Sequence, residues 1–325
     1  MQSIRKYKDQ VSVYIDSIKL DRTPQELYQP ISYILSLGGK QIRPVLTLMA
    51  ADIFGTSVDK ALYAATAIEL FHNFSLMHDD IMDDASLRRG HQTVHEKWDV
   101  NTAILSGDAM LILAYQYFEH YEPEIFRDLA KLFSKTAIEV CEGQQMDICF
   151  ENRNDVSVTE YIKMIEFKTA VLVGAALKMG AIVAQTSETN KQNIYDFGLN
   201  LGIAFQLQDD YLDAFGDENT FGKTIGGDIL ENKKTYLYLK AIINGKPSQQ
   251  EELENFFSTA ICSDETVKIQ RVKELFIETG SAKDSLQLIK EYTKKALDIL
   301  EQMDISEKKK EQLRQFSYEL MDRKM

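Results

Sequence analysis

Apolar residues recur at three- and four-residue steps over most of this chain. Ile68 and Phe71 lie three residues apart in one segment, and Leu105 and Ile112 lie seven residues, or about two helical turns, apart in another. Such a spacing gathers apolar side chains on one face of an α-helix, whereas the alternation that is typical of strands is scarce. The pattern therefore predicts an all-α protein.

The predicted helices are long, because few residues interrupt them. No proline lies between Pro44 and Pro123, or between Pro123 and Pro247. No linker or low-complexity segment divides the chain, so a single domain over residues 1–325 is the simplest prediction. Helices are predicted at 1–19, 25–37, 44–54, 59–84, 100–119, 124–150, 159–180, 188–214, 226–243, 249–258, 265–278, 281–302 and 306–322.

The charge balance narrows the class of partner. The 325 residues carry a formal net charge of -13, with 44% hydrophobic and 27% charged residues. This composition is normal for a globular protein. The negative charge argues against nucleic acid, because binding to a phosphate backbone needs a basic surface. A small phosphorylated ligand is still compatible with it, since a local basic pocket can lie in an acidic protein.

Cysteine usage and hydropathy predict a cytoplasmic protein. Cys141, Cys149 and Cys262 lack the CxxC spacing of zinc sites and suggest no disulfide framework. The most apolar segment, residues 170–184, is interrupted by Lys178 and is too short for a membrane span. The basic N-terminus is not followed by the apolar core of a secretory signal. We therefore expect no stable membrane insertion.

Two acidic motifs carry the strongest chemical signal. The two acidic clusters are Asp79-Asp80-Ile81-Met82-Asp83-Asp84 and Asp209-Asp210-Tyr211-Leu212-Asp213. We call Asp79–Asp83 of the first cluster the first acidic motif and Asp209–Asp213 the second acidic motif. Carboxylates at i, i+1 and i+4 lie within one turn of a helix, where two charges about 4 Å apart repel by about 4 kcal/mol. Hard divalent cations such as Mg²⁺ offset this repulsion and commonly bind phosphate as well. Acidic residues that merely decorate solvated helix ends are the alternative.

Helical geometry groups further residues with each acidic motif. His72 shares a stripe with Asp79 and Asp83. On the second helix, the corresponding stripe contains Gly202, Phe205, Gln206, Asp209 and Asp213. If the two stripes faced each other, they would form a cavity with carboxylates at one end. Basic residues near glycine and proline breaks could hold a diphosphate there; the candidates are Lys40, Arg43, Arg88, Arg89, Lys168, Lys223 and Lys233.

In this combination, the residues resemble those of the trans-isoprenyl diphosphate synthases, the relatives of farnesyl and geranylgeranyl diphosphate synthases. The shared motifs occur in the same order from about residue 38 to 240. They are Gly38-Gly39-Lys40-x-x-Arg43-Pro44, the first acidic motif with Leu87-Arg88-Arg89-Gly90, Lys168-Thr169, Phe205-Gln206 with the second acidic motif, and Gly222-Lys223 with Gly227-Asp228-Ile229-x-Glu231-Asn232-Lys233.

The resemblance implies a fold and an activity. The fold would be a single large helical bundle of the isoprenoid synthase type with a central active-site cavity. The activity would be that of a homodimeric prenyltransferase of isoprenoid biosynthesis. It would condense isopentenyl diphosphate with an allylic diphosphate by metal-assisted ionisation, condensation and proton loss. The resemblance also implies Mg²⁺, about three ions per active site, with Mn²⁺ able to substitute.

The resemblance also implies a role for each site residue. The metal ions would be bound by Asp79, Asp83 and Asp209. Asp80 and Asp213 would support the bound ions, either directly or through water. The allylic diphosphate would be held by Arg88, Lys168, Lys223 and Lys233. Isopentenyl diphosphate would be held by Lys40, Arg43, His72 and Arg89. The allylic cation would be stabilised by Thr169, Phe205 and Gln206, which with Lys168 form the catalytic set.

In this family, bulky residues before the first acidic motif limit product length. Phe74 lies five residues before Asp79, and Ser75 lies four residues before it. The pair resembles the pattern that forms the C20 product, with the C15 product next. The helical wheel alone does not select Phe74, since it lies about 140° from Asp79. Ordinary core packing is the other interpretation of Phe74.

Several other functions are compatible with parts of the sequence. A longer-chain polyprenyl diphosphate synthase would share every motif. A class I terpene cyclase would share the metal and diphosphate chemistry, but it generally has one such acidic motif and needs no isopentenyl diphosphate site. A non-catalytic subunit of a heteromeric synthase would usually have degraded acidic motifs. A di-iron bundle would need a second copy of the Glu69-x-x-His72 spacing, and we find none.

Overall fold

The structure, a computed structural model, describes residues 2–217, 225–258 and 264–322. The all-α prediction is confirmed, since helices make up most of the described chain. In chain order the helices are α1 (Gln2–Asp16), α2 (Gln25–Ser36), α3 (Ile42–Ile53), α4 (Val58–Met82), α5 (Val94–Lys97), α6 (Val100–Phe118), α7 (Pro123–Glu151), α8 (Val158–Ile165), α9 (Val171–Val183), α10 (Glu188–Phe215), α11 (Gly227–Leu230), α12 (Tyr236–Asn244), α13 (Pro247–Ser258), α14 (Glu265–Glu278), α15 (Ser281–Gln302) and α16 (Glu307–Met321).

Within the described residues, the structure differs from the predicted helices in four places. The short helix α5 (Val94–Lys97) was not predicted. The prediction of one continuous helix at 226–243 is wrong, because this region contains two helices, α11 and α12. In the segment that separates them, Asn232 has a left-handed φ of 58°, which a helix does not tolerate. The helix predicted at 159–180 contains a π-helical turn, Glu166–Ala170, between α8 and α9. Two short strands, β1 (Leu87–Arg88) and β2 (His91–Gln92), form an antiparallel hairpin that the sequence pattern did not predict.

The chain divides into two compact units. Unit 1 contains residues 1–134 and 175–192, and unit 2 contains residues 135–174 and 193–325. The first acidic motif lies in unit 1 and the second lies in unit 2. The single domain predicted from the sequence stays a prediction, and we describe each unit by itself.

Unit 1 is organised around α4, which packs against both α3 and α6. Ile68 and Phe71 of α4 are almost fully buried, as is Leu46 of α3. Burying a large aliphatic or aromatic side chain contributes about 1.5–3 kcal/mol, so these contacts hold the helix that carries the first acidic motif. The Thr47 hydroxyl of α3 donates a hydrogen bond to the Ala176 carbonyl of α9 at 2.9 Å and ties that segment to the unit.

Unit 2 has its own apolar cluster, to which α8, α10, α12, α14 and α15 all contribute buried side chains. Leu207 of α10 and Leu253 of α13 are fully buried in this cluster. The cluster therefore supports α10, the helix that carries the second acidic motif. Within the described residues, no helix combines the length and the apolar run that a membrane span requires.

Candidate active site

The first acidic motif occupies the C-terminal end of α4. Asp79 and Asp80 lie in its last turn, and Asp83 is the residue that ends the helix. Asp80 is buried, whereas the Asp79 side chain is 23% exposed and Asp83 is exposed. The i and i+4 carboxylates are therefore the accessible ones, and the carboxylate between them points into the protein.

The hairpin after α4 places the arginine pair of the motif. Leu87 pairs with Gln92 and Arg88 pairs with His91, which leaves Arg89 and Gly90 as the two turn residues. Both turn residues have positive φ, 55° and 78°, as a type I′ turn requires. Arg88 consequently lies on a strand and Arg89 at a tight turn, so the two neighbours contact different groups.

Arg88 binds the buried carboxylate of the first acidic motif. Its Nε donates to Asp80 Oδ1 at 2.8 Å, and a second guanidinium nitrogen also contacts that oxygen. The same guanidinium lies 3.7 Å from Asp79 Oδ2. Burial raises the pKa of Asp80, and Arg88 acts in the opposite direction by favouring the charged carboxylate. Arg88 thus relieves part of the repulsion within the motif.

A second group of polar side chains lies in unit 1, and we call it the arginine cluster: the cations Arg43 and Arg89, together with His72 and Glu69. The Arg43 guanidinium donates to His72 Nε2 at 3.1 Å. Glu69 is buried and interacts electrostatically with both Arg43 and Arg89. A Cβ added at Gly39 would lie 2.8 Å from the Arg89 guanidinium carbon, and the φ of 142° at Gly39 would strain any residue with a side chain, so glycine suits this turn.

The arginine cluster holds His72 neutral. Burial lowers the pKa of His72 well below its usual value, and the positive charges of Arg43 and Arg89 lower it further. Because a guanidinium can only donate, Nε2 of His72 must accept the hydrogen bond from Arg43. The ring proton therefore lies on Nδ1, where His72 is a donor. Burial lowers the pKa of Arg43 to about 10, which leaves it charged at neutral pH.

The two residues predicted to limit product length lie on different sides of α4. The Phe74 ring lies 5.6 Å from the Phe71 ring and 4.7 Å from the His78 ring. His78 Nε2 in turn lies 3.2 Å from the Ile104 carbonyl, so Phe74 lies on the side of α4 that faces α6. The Ser75 hydroxyl donates to the His72 carbonyl at 2.8 Å.

In unit 2, the π-helical turn presents Lys168 and Thr169. A Cβ added at Gly143 of α7 would lie 2.2 Å from the Lys168 nitrogen, and one added at Gly202 of α10 would lie 2.7 Å from Ala170 Cα. These two glycines let α7 and α10 pack directly against the backbone of the turn. Lys168 Nζ donates to Asp147 Oδ2 of α7 at 2.5 Å.

A chain of hydrogen bonds connects the turn to the second acidic motif. The Thr169 hydroxyl donates to Gln206 Oε1 at 3.1 Å, and Gln206 Nε2 donates to Asp210 Oδ1 at 2.9 Å. The Tyr161 hydroxyl donates to the other oxygen of Asp210. Burial raises the pKa of Asp210 to about 7 and raises the pKa of Tyr161 as well. The network fixes the amide of Gln206 in one orientation.

The segment 225–235 contacts the same motif from the other side. The Asp228 backbone N–H donates to Asp213 Oδ1 at 3.0 Å. Lys233 Nζ lies 2.7 Å from Glu231 Oε2 and 3.7 Å from Asp228 Oδ1. Burial, with the nearby charges of Asp210 and Asp213, raises the pKa of Asp228 to about 8. Lys233 and Asp228 thus form a pair beside the motif.

These groups line a cavity of about 120 Å³ in unit 2. Its polar lining consists of Asp147, Glu151, Tyr161, Lys168, Thr169, Gln206, Asp210, Asp228, Lys233, Lys234 and Thr235. Of the predicted residues, the cavity therefore brings together Lys168, Thr169, Gln206 and Lys233. Phe205 and Asp209 are partly exposed and Asp213 is buried, and these three are not part of this lining.

The remaining predicted residues lie elsewhere. Lys40 is exposed just before α3, in the turn that approaches Arg89. Lys223 lies outside the described residues. The structure therefore brings the predicted residues of unit 1 into two neighbouring groups, the first acidic motif with Arg88 and the arginine cluster.

Sequence reasoning missed four polar residues that contact these groups. Spacing marks Glu69 only as half of a di-iron motif, and the family resemblance contains Asp228 without a role for it. Asp147 and Tyr161 carry no local signal, because their partners Lys168 and Asp210 are 21 and 49 residues away. A carboxylate on an otherwise apolar helix face is the signal that could have identified Glu69.

The donor set of the acidic motifs suits a hard divalent cation. Asp79 and Asp83 present accessible carboxylate oxygens on one turn, and such oxygens are the ligands that Mg²⁺ prefers. Among the described residues, the carboxylates of neither motif alone form a close group of three ligand atoms. A site of this kind takes the rest of its ligands from water and substrate phosphate.

The helical fold and the two acidic motifs are typical of one class of protein. Similarity to known proteins shows which class this is. A family model described as polyprenyl synthetase matches residues 24–276, and the chain belongs to this family. The chain is therefore a prenyltransferase of isoprenoid biosynthesis. This result confirms the family, the fold and the enzyme class predicted from the sequence.

Similar proteins extend over most of the chain. A crystal structure of a geranylgeranyl pyrophosphate synthase has a TM-score of 0.95 and 53% identity, and the match covers 99% of each chain. Geranylgeranyl pyrophosphate synthase of Geoglobus acetivorans is 38% identical over 299 residues, 91% of each chain. Geranylfarnesyl diphosphate synthase of Natronomonas pharaonis is 40% identical over 237 residues, 67% of this chain and 69% of that protein.

Proposed function

We propose that this chain condenses isopentenyl diphosphate with an allylic diphosphate and releases geranylgeranyl diphosphate as its main product. The short-chain prenyltransferase class follows from the family and from its similar proteins. The product and the roles of individual residues are our proposal.

Two groups of charged side chains in unit 1 support a more specific function than the family alone. Unit 1 contains an aspartate-rich group suited to metal ions and, separately, the arginine cluster, whose cations suit an anion directly. The first group contains Asp79, Asp80 and Arg88, and the second contains Arg43 and Arg89. Two anion sites of different chemistry support two diphosphate substrates, one bound through metal and one bound by guanidinium groups.

We assign isopentenyl diphosphate to the arginine cluster. Arg43 and Arg89 interact electrostatically with Glu69, and neutral His72 would offer its Nδ1 proton to a phosphate oxygen. A neutral donor next to two guanidinium groups avoids a third positive charge in the cluster. Lys40 is exposed just before α3 and would supply a further cation for the same diphosphate.

We assign the allylic diphosphate to the acidic motifs. In unit 1, Asp79 and Asp83 would hold divalent ions, proposed as Mg²⁺, and Asp80 would support them through Arg88. In unit 2, Asp209 and Asp213 would likewise hold divalent ions. Bound ions would stabilise the negative charge that develops on the leaving diphosphate. Arg88 would add positive charge beside the first acidic motif, Lys168 and Lys233 would add it beside the second, and Lys223 is assigned by resemblance alone. Since Lys168 contacts Asp147 at 2.5 Å, it must exchange that partner for a phosphate.

The network in unit 2 suits the protection of an allylic cation. The carbonyl oxygen of Gln206 and the hydroxyl of Thr169 are dipoles, and neither is a strong nucleophile. Asp210 holds Gln206 through its amide nitrogen, which leaves the amide oxygen toward Thr169. We propose that Phe205 adds its ring face. A network that is already hydrogen bonded costs little reorganisation as charge develops.

The length of the product is not given by the family, because the similar proteins include both geranylgeranyl and geranylfarnesyl diphosphate synthases. We propose that Phe74, with Ser75 beside it, stops the chain at C20. The Phe74 ring is half-buried between Phe71 and His78, so truncation would open space beside α4.

Chromatography and mass analysis of products test the proposal. The purified chain, Mg²⁺, isopentenyl diphosphate and each allylic primer in turn should give geranylgeranyl diphosphate. Phe74→Ala should give longer products, and Phe126→Ala, the same change at an exposed phenylalanine of α7, is the matched control. An unchanged chain length in Phe74→Ala would refute the assignment of Phe74. Failure to consume isopentenyl diphosphate would favour a cyclase, and no turnover at all would favour a non-catalytic subunit.

We also propose that the chain forms a homodimer through α6. Val100, Leu105 and Ile112 are 46%, 60% and 58% exposed and lie within about 140° of one another on this helix. An apolar helix face of this kind commonly marks an interface. Light scattering should show a dimer, and Leu105→Asp should disrupt it. Val13→Asp is the control, because Val13 is also an exposed apolar residue but lies on α1; this variant should remain a dimer. A monomeric parent chain would refute this proposal.

A further inference from the structure

Directly after the first acidic motif, three side chains form a separate group of potential metal ligands. Asp84, His95 and Glu96 each direct one ligand atom to a common space, and these atoms lie within 4.8 Å of one another. Asp79, Asp80 and Asp83 are not members of this group. We propose that Asp84, His95 and Glu96 bind a divalent transition-metal ion at a site distinct from the substrate metals.

His95 is the residue that points to a ligand. Its side chain is only 5% exposed, and neither Nδ1 nor Nε2 has a hydrogen-bond partner within the described part of the chain. An unsatisfied buried polar group costs about 1–3 kcal/mol, so native proteins rarely leave both nitrogens of an imidazole without one. Nε2 lies 3.9 Å from a Glu96 carboxylate oxygen, a distance too long for a hydrogen bond and suited to a shared cation.

The backbone holds the three ligands together before any ion binds. Thr93, which precedes α5, donates its hydroxyl to the Ala85 carbonyl at 2.7 Å and its N–H to the Ser86 carbonyl at 3.1 Å. The Ala85 N–H donates to the Asp80 carbonyl at 2.9 Å. These bonds fix the turn that carries Asp84 against the start of α5, which carries His95 and Glu96. The group is therefore built into the fold.

The ligand types select the class of metal. Imidazole suits zinc and its neighbours in the first transition row, whereas Mg²⁺ prefers oxygen ligands alone. One imidazole and two carboxylates thus favour an ion such as Zn²⁺, Co²⁺ or Mn²⁺ over Mg²⁺. The Glu96 side chain is 47% exposed and Asp84 is exposed, so both can rotate toward the ring nitrogen to reach bonding distance. An ion bound by Asp84, His95 and Glu96 would stabilise the backbone directly after the first acidic motif.

Metal titration of the full chain without diphosphate tests this site. The protein is stripped with a chelator, dialysed into excess Mg²⁺ and titrated with Co²⁺, with visible absorption and calorimetry as readouts. We expect one equivalent of Co²⁺ to bind with a ligand-field spectrum that includes nitrogen ligation. Asp84→Asn and Glu96→Gln should each weaken binding at least about tenfold, the loss expected when one ligand is removed.

Asp83→Asn is the matched control, since it makes the same chemical change one residue away in the first acidic motif. It should retain the Co²⁺ site, and circular dichroism should show that all variants are folded. Binding that is lost in Asp83→Asn but retained in Asp84→Asn and Glu96→Gln would overturn the proposal, as would a parent chain that binds no Co²⁺ in excess Mg²⁺. Neither result depends on the prenyltransferase activity.

Discussion

The close packing around the π-helical turn gives a sharp prediction for Gly143→Ala. The new Cβ would lie 2.2 Å from the Lys168 nitrogen and 2.7 Å from both Lys168 Cα and the Phe167 carbonyl carbon. All three atoms belong to the backbone, so no side chain can rotate away. Ordinary van der Waals contact begins at 3.4 Å, and α7 or the turn must therefore move by about 1.2 Å.

The effects on stability and on activity should differ in size. Overpacking costs about 1–3 kcal/mol, and the better helix propensity of alanine returns about 1 kcal/mol. We expect the free energy of unfolding to fall by about 0–2 kcal/mol. A displacement of about 1 Å at catalytic groups can lower kcat about 100-fold, and the turn carries Lys168 and Thr169. Activity should therefore fall far more than stability.

Steady-state kinetics and denaturant unfolding measure the two effects separately. Glu142→Ala, a change on the same helix, is the control and should leave kcat unchanged. Gly202→Ala should resemble Gly143→Ala, because its Cβ would meet Ala170 from α10 at 2.7 Å. If Gly143→Ala kept kcat within about twofold of the parent enzyme, the claim that close packing positions the π-helical turn would be wrong.

Two further predictions concern the arginine cluster. Burial raises the pKa of Glu69 in the folded chain, whereas an unfolded glutamate titrates near about 4.3. The folded state therefore binds the proton more tightly, and the contribution of Glu69 to stability is present below about pH 4.3 and is lost as pH rises through its folded pKa. Denaturant unfolding should show that the free energy of unfolding decreases less in Glu69→Gln than in the parent as pH rises above about 4.3, and an equal decrease would contradict this. Arg43→Lys should raise KM for isopentenyl diphosphate about 10- to 100-fold, because it loses the guanidinium fork that contacts His72 and that we assign to the diphosphate. KM for the allylic primer is the internal control, and an equal rise in both KM values would refute the assignment of Arg43.

The helices were predictable because they depend on local spacing. The residues of each acidic motif are neighbours along the chain, so i and i+4 carboxylates identify one face of α4 or α10 without knowledge of the fold. The hairpin was missed because its turn depends on Arg89 adopting positive φ, an uncommon state for a residue with a side chain. The break between α11 and α12 was missed for a similar reason, at Asn232.

The partners of the site residues were much less predictable. The resemblance assigned Lys168 and Arg88 to phosphate, and it contained no information about their contacts without substrate. In the structure, Lys168 binds Asp147 and Arg88 binds Asp80. The helical wheel grouped Gln206 with Asp209, whereas the hydrogen bond of Gln206 goes to Asp210. Side-chain direction and competing donors decide such contacts, and neither is encoded in spacing alone.

The sequence by itself determined that this chain is helical, that it has two acidic motifs and that it resembles the polyprenyl synthetase family. These properties depend on residue types at short, fixed separations. Only the tertiary structure decided that His72 is neutral, that the buried Glu69 lies within electrostatic reach of Arg43 and Arg89, and that a buried His95 lies close to Asp84 and Glu96. Burial and the approach of distant residues create these properties, because both the cost of a charge and the choice of its partner depend on what surrounds it.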